Sequence, residues 1–259
     1  MTATAPLARY GALSGFVPAC REAGVDPEAT MRAHGLDPAR LAEPDAWADA
    51  VSLTAVLESA AEASGCPTLG LRMSRLRPIS SLGPVSLALQ AEPTLRAALD
   101  LLARFWPSYN QALRLTLRDE GDHAVAALRL ELGADAPHVQ ATELAAGVLR
   151  SLAQARTEGE PVVLGARFRH PAPADTGEHE AAFVAGVAFG ADEDAVLLRD
   201  DDLDAVAADD DPQQRAYAQR FLASLASAEE TTRTEQVRRL VTVLLPTGRC
   251  SAPGLSGRR

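Results

Sequence analysis

Between Trp106 and Leu113 the hydrophobic period of the chain falls from about four residues to two. Upstream, Leu95, Leu99, Leu102 and Phe105/Trp106 recur at helical spacing behind Thr94, a residue type that caps helix N-termini, and Pro107 closes the run. Downstream, Leu113, Leu115 and Leu117 alternate with Arg114, Thr116 and Arg118. After the turn Asp119-Glu120-Gly121-Asp122, the residues Ala124, Ala126, Leu128, Leu130 and Leu132 alternate with Val125, Ala127, Arg129 and Glu131. Two alternating runs about a Gly-containing turn predict an antiparallel hairpin with one wet face. The fold must therefore combine a sheet with helices.

The flanking segments extend this picture. Asp45 or Asp49 can start a helix carrying Val51, Leu53, Ala55, Val56 and Leu57, which Gly65-Cys66-Pro67 ends. Gly83-Pro84 opens another helical segment, and Val139–Ala155 is predicted helical with Leu144, Val148, Leu149 and Leu152 inward. Val162–His170 alternates as a strand and Gly177–Val184 reads as a short helix. Val187–Gly190, the turn Ala191–Asp194 and Ala195–Arg199 together predict a second, shorter hairpin. The sum is an α+β fold, a mostly antiparallel sheet of about five strands with N-terminal helices and C-terminal linker helices. Amphipathic stripes over Pro212–Ala228 and Arg233–Leu245 place a division near residue 211, and 249–259 has no periodicity.

Charge and composition remove several functions. The net charge is −10, every one of the 25 basic residues is Arg, and Asp192–Asp211 is strongly acidic. A chain with this balance repels a phosphate backbone, so no DNA-contacting residue is expected within it. Without lysine, Schiff-base and P-loop lysine chemistry are excluded, and no GxGxxG, GxxxxGK[ST] or GxSxG motif is present. No cofactor is expected, and catalysis finds no support. Cys20, Cys66 and Cys250 are odd in number and far apart, which suits inert thiols in a reduced cytoplasm. No apolar run reaches the ~18–20 residues that span a bilayer.

A metal site from His170, Glu178 and His179 is conceivable but lacks the HExxH or paired-Cys spacing. Solvated or capping histidines are the plainer reading. The acidic run around Asp200–Asp211 lacks the alternating ligands and central Gly of a calcium loop, and Asp211 before Pro212 reads as a helix cap.

Phe105-Trp106-Pro107-Ser108-Tyr109-Asn110 gathers three aromatics and an amide where the helix hands over to the first strand. Trp and Tyr supply apolar walls with one hydrogen-bonding handle each, which suits a small-molecule pocket as well as a core corner. Arg167 and Arg169 flank Phe168 on a strand, where they could meet an anionic ligand or form a solvated sheet face. The candidate ligand-binding residues are Phe105, Trp106, Tyr109, Asn110, Arg167 and Phe168.

Leu69-Gly70-Leu71-Arg72, Leu82-Gly83-Pro84 and Pro93-Thr94-Leu95-Arg96-Ala97-Ala98-Leu99 resemble the helical part of the arabinose-binding-type N-terminal domain of AraC-family regulators. Leu113–Leu132 is similar to that domain's strand-turn-strand element. So is Phe168-Arg169-His170-Pro171-Ala172-Pro173-Ala174 with Val187-Ala188-Phe189-Gly190. Val237-Arg238-Arg239-Leu240 through Leu244-Leu245-Pro246-Thr247-Gly248 resembles the first helix of the family's helix-turn-helix module.

The resemblance implies a cytoplasmic transcription regulator whose N-terminal domain senses a small-molecule effector and dimerises, while a C-terminal helix-turn-helix pair binds DNA. On that reading residues 1–211 sense the effector and 212–248 hold linker and dimerisation helices plus the first helix of the DNA-binding module. Residues 249–259 are then a disordered tail. The family has about a hundred further residues beyond Gly248, so the expectation is a fragment or truncated product that meets DNA only through the missing part. A structural or oligomerisation module without a ligand is the alternative.

Overall fold

A computed structural model describes residues 6–133, 136–156, 162–184, 186–206 and 211–224. The chain divides into two compact units, 1–210 and 211–259. In the first, β1 (Leu7–Arg9) leads to helices α1 (Phe16–Glu22) and α2 (Pro27–Ala33), then β2 (Trp47–Asp49). Helices α3 (Ala50–Ser64), α4 (Leu69–Leu76), α5 (Val85–Ala91) and α6 (Leu95–Phe105) follow. The expected hairpin is β3 (Leu113–Asp119) and β4 (His123–Leu130). Next come α7 (Val139–Gln154), β5 (Val163–Phe168), α8 (Gly177–Ala182), β6 (Val187–Phe189), β7 (Asp194–Arg199) and α9 (Asp200–Leu203).

Local chemistry sets the ends of these elements. Asp49 Oδ2 accepts from the Ser52 amide at 2.8 Å to start α3, and Gly65 ends it at φ +63°. Thr94 Oγ1 accepts from the Ala97 amide at 3.1 Å to start α6. In the second unit, Asp211 Oδ1 accepts from the Gln213 amide at 2.8 Å at the head of a helix over 212–224, which leaves Tyr217 and Phe221 exposed. The expected helix Arg233–Leu245, the Val237–Gly248 match and the tail 249–259 lie outside the described residues.

The first hairpin pairs Leu113 with Leu130 and Asp119 with Ala124 about a turn where Gly121 takes φ +84°. Its alternation holds in β3, but Val125, expected on the wet face, is fully buried. The register explains this. Val125 lies between Arg118 and Leu197 on an interior strand, where long arginine stems cover apolar neighbours while their heads stay in water.

The second hairpin does not form. Sheet order is β3-β4-β7-β5-β6, with β7 between β4 and β5 and the β5–β6 pair parallel. The main sheet is thus five-stranded and mixed rather than mostly antiparallel, within an α+β fold. Ala195, Val196 and Leu198 of β7 are all buried, which suits an interior strand, whereas three-residue β6 occupies an edge. A two-stranded antiparallel sheet of β1 and β2 was not expected from the sequence, and Ala8 bridges from it to Asn110.

Helix α7 packs on β4, β5 and β7 and against α3 and α4. Between α4 and α7 the backbones meet closely, because a Cβ on Gly70 would lie 2.0 Å from the Gln140 carbonyl oxygen. Cys20 is buried among these N-terminal helices, and burial pushes its thiol up to about 12, so it is inert.

Candidate ligand cavity

Where α3, α6 and α7 meet the open end of the hairpin, the interior holds a cavity of about 210 Å³. It opens to solvent beside Pro44 and Asp45, so a small molecule can enter it. Its walls are mostly apolar: Leu53 and Leu57 from α3, Leu102 from α6, Leu113 and Leu130 from the hairpin, Leu144 and Val148 from α7. The N-terminal strap, Ala8 to Leu13, supplies another part of the wall.

Three expected residues line it. Trp106 is nearly buried in the short 3-10 turn after α6, and Tyr109 and Asn110 follow at the entrance to β3. Asn110 Oδ1 already accepts from the Ala112 amide at 2.9 Å, so this oxygen shapes the turn. Gly83, beside the Tyr109 ring, takes φ +70°, a left-handed conformation that favours glycine.

The other three lie elsewhere. Phe105 is off the wall, with the Arg104 guanidinium 5.4 Å from its ring centre. Arg167 stands in a solvated ion-pair network, 3.4 Å from both Glu120 and Glu193. Arg118, at 2.9 and 2.7 Å from the same two carboxylates, holds their pKa below the usual carboxylate range. Phe168 is fully buried against His170, Phe183 and Phe189.

The charged groups of the cavity are ones that sequence reasoning passed over as site residues. Arg9 lies between the rings of Trp47 and Tyr109, 5.1 and 4.4 Å from their centres, and pairs with Asp45 at 2.6 Å. Arg77 is the residue where α4 ends, because Pro78 drives the preceding backbone out of the helical region. Its Nε donates to Ser81 Oγ at 3.0 Å, and its Nη1 and Nη2 donate to the carbonyls of Ala12 and Gly11 at 3.4 and 3.2 Å. Burial lowers its guanidinium to about 10, yet it stays charged at neutral pH. Among the described residues no carboxylate pairs with it.

A second polar cluster corrects an expectation. His170 and His179 do come together, but around Glu143 of α7 rather than Glu178, and they are neither solvated nor capping. His179 and Glu143 are wholly buried, with His179 Nε2 2.7 Å from Glu143 Oε1 and His170 Nε2 3.5 Å from the same oxygen. His170 Nδ1 donates to the Pro171 carbonyl at 3.0 Å, which fixes its tautomer. Glu178 instead pairs with Arg72 at 2.5 Å and with Arg75. Among the described residues no group of three or more such side chains is arranged to hold a metal ion, and no helix is long and apolar enough to cross a membrane.

Residues 24–206 match the family described as the arabinose-binding domain of AraC transcription regulators, N-terminal. This chain belongs to that family. The HTH-type transcriptional regulator VirS of Mycobacterium tuberculosis, in strains CDC 1551 and H37Rv, is 28% identical over 261 residues. That alignment covers 96% of this chain and 74% of VirS. The transcriptional regulator CdpR from Pseudomonas aeruginosa superposes with a TM-score of 0.52 at 18% identity, covering 74% of this chain and 59% of that one. The latter likeness concerns the fold of the AraC-type domain alone. The matched stretch contains α3, α6, α7 and the hairpin, hence most of the cavity wall, but not the strap.

Proposed function

We propose that this AraC-type domain is an effector sensor, which binds a small molecule in the cavity and performs no chemistry on it. The observation that carries this reading is the hollow itself, walled by apolar side chains with a few convergent polar groups. An effector there touches the hairpin, α6 and α7 together, so it favours whichever arrangement of them grips it better. The chain from Asp211 onward, which opens with the helix over 212–224, carries that preference and pairs two copies, and DNA contact belongs to the family's helix-turn-helix module. Such a regulator works in the cytoplasm.

Ala145 lines the cavity from α7, and Ala145→Phe fills it without removing a contact. A ligand at about a hundred times its Kd is expected to raise the melting temperature of the native chain by about 5–10 °C. Ala145→Phe is expected to keep or raise the basal melting temperature and abolish that response. If a broad panel of metabolites produces no shift at all, the sensor reading fails and a ligand-free oligomerisation module takes its place. From its charge of −10, the 259-residue chain is also expected to give no sequence-specific retardation of any duplex at physiological salt. Tight, specific retardation would refute that.

A further inference from the structure

Resting on the sensor reading, we infer that the cavity takes an organic monoanion, with a carboxylate-class head on Arg77 and a compact apolar body. Three charged side chains line the cavity, Arg9, Asp45 and Arg77, and Arg9 is neutralised by Asp45. That leaves one excess cation on the wall. A guanidinium has five N–H donors, of which three are taken on Arg77, all by neutral acceptors. A part-buried cation held only by neutral oxygens gains from an anion, and guanidinium matches carboxylate geometry.

The rest of the wall defines the body. Leucines and Val148 dominate it over the few side-chain partners at Thr54, Ser80, Ser81, Tyr109 and Asn110, so a polyol such as a sugar would lose more hydration there than these groups replace. An engineered apolar cavity of about 150 Å³ holds benzene, so this one suits roughly eight to ten non-hydrogen atoms. A medium-length acyl chain and a phenylalkyl group both meet that size.

The test is calorimetric titration of the 259-residue chain with octanoate, 3-phenylpropanoate, their alcohols octan-1-ol and 3-phenylpropan-1-ol, octylamine and L-arabinose. At least one acid is expected to bind about ten- to a hundredfold more tightly than its alcohol, the range for a hydrogen bond to a charged group. Octylamine and arabinose are expected to give no binding. The two acids separate an acyl from an aryl body. Arg77→Gln should erase the preference for acid over alcohol. Because Arg77 also holds the carbonyls of Gly11 and Ala12, Arg77→Lys serves as the companion that keeps the charge, and it should retain the preference. The head-group comparison on the unaltered chain decides the matter even where a variant fails to fold. Alcohols or the amine binding as well as the acids, with Ala145→Phe still blocking them, overturn the anion assignment and leave the sensor reading intact. Silence from both acids also overturns it, whereas the sensor reading falls only if the broad panel is silent too.

Discussion

Gly70→Ala is expected to cost about 3 kcal/mol or more, enough to leave much of the chain unfolded under mild denaturant. The added Cβ would lie 2.0 Å from the Gln140 carbonyl oxygen, 2.8 Å from its carbon and 3.0 Å from its Cα. These are backbone atoms, so no side-chain rotation relieves the clash. Nor can Gln140 retreat. Its Oε1 accepts from the Gly70 amide at 2.8 Å, its Nε2 donates to Pro67 O at 2.8 Å, and its amide donates to Glu58 Oε1 at 2.7 Å. The first of these bonds caps α4, whose Thr68 makes no side-chain cap of its own. Alanine gains about 1 kcal/mol over glycine in a helix, but overpacking a rigid contact costs about 1–3 kcal/mol or more, and the pinned backbone puts this case at the upper end. Urea unfolding measures it. A loss below about 0.5 kcal/mol would show that α4 and α7 stand further apart.

Removing the carboxylate at Glu143 is the other large effect. Glu143→Ala is expected to cost about 3–5 kcal/mol, because it leaves the wholly buried His179 without the carboxylate that accepts from its Nε2. A histidine whose Nε2 has lost its partner in a dry site is penalised more than a cavity of that size alone would explain. The double change Glu143→Leu with His179→Leu should recover most of that loss, since it returns the site to its surrounding Phe168, Phe183 and Phe189. Chemical denaturation of the double variant and of Glu143→Leu and His179→Leu alone decides it. If the double variant is no better than the sum of its single changes, the two groups are not coupled.

What the sequence told and withheld follows the range of the forces involved. The first hairpin is local: period-two alternation, a Gly turn and a short return, all within Leu113–Leu130. The strands β6 and β7 look equally hairpin-like, but their partners are chosen by β4 and β5, far away in the chain. The aromatic concentration led to Trp106, Tyr109 and Asn110 because a helix-to-strand corner is where layers separate. Phe105 misses the cavity because one residue on a helix turns the side chain by about 100°. Arg77 had no signal of its own among 25 arginines, and only its three neutral partners mark it out. Glu143 reads as one polar position of an amphipathic helix until β5 and α8 deliver two histidines to it.

The strap from Ala8 to Leu13 lies ahead of the stretch by which the family is recognised, yet it closes one side of the hollow and fastens to Arg77. On the sensor reading proposed above, selection for a new effector would rewrite that strap while residues 24–206 stay unmistakably AraC-type. Two relatives that align well over the shared stretch can answer to different molecules, and exchanging the first fifteen residues between them is a direct way to transplant chemical taste.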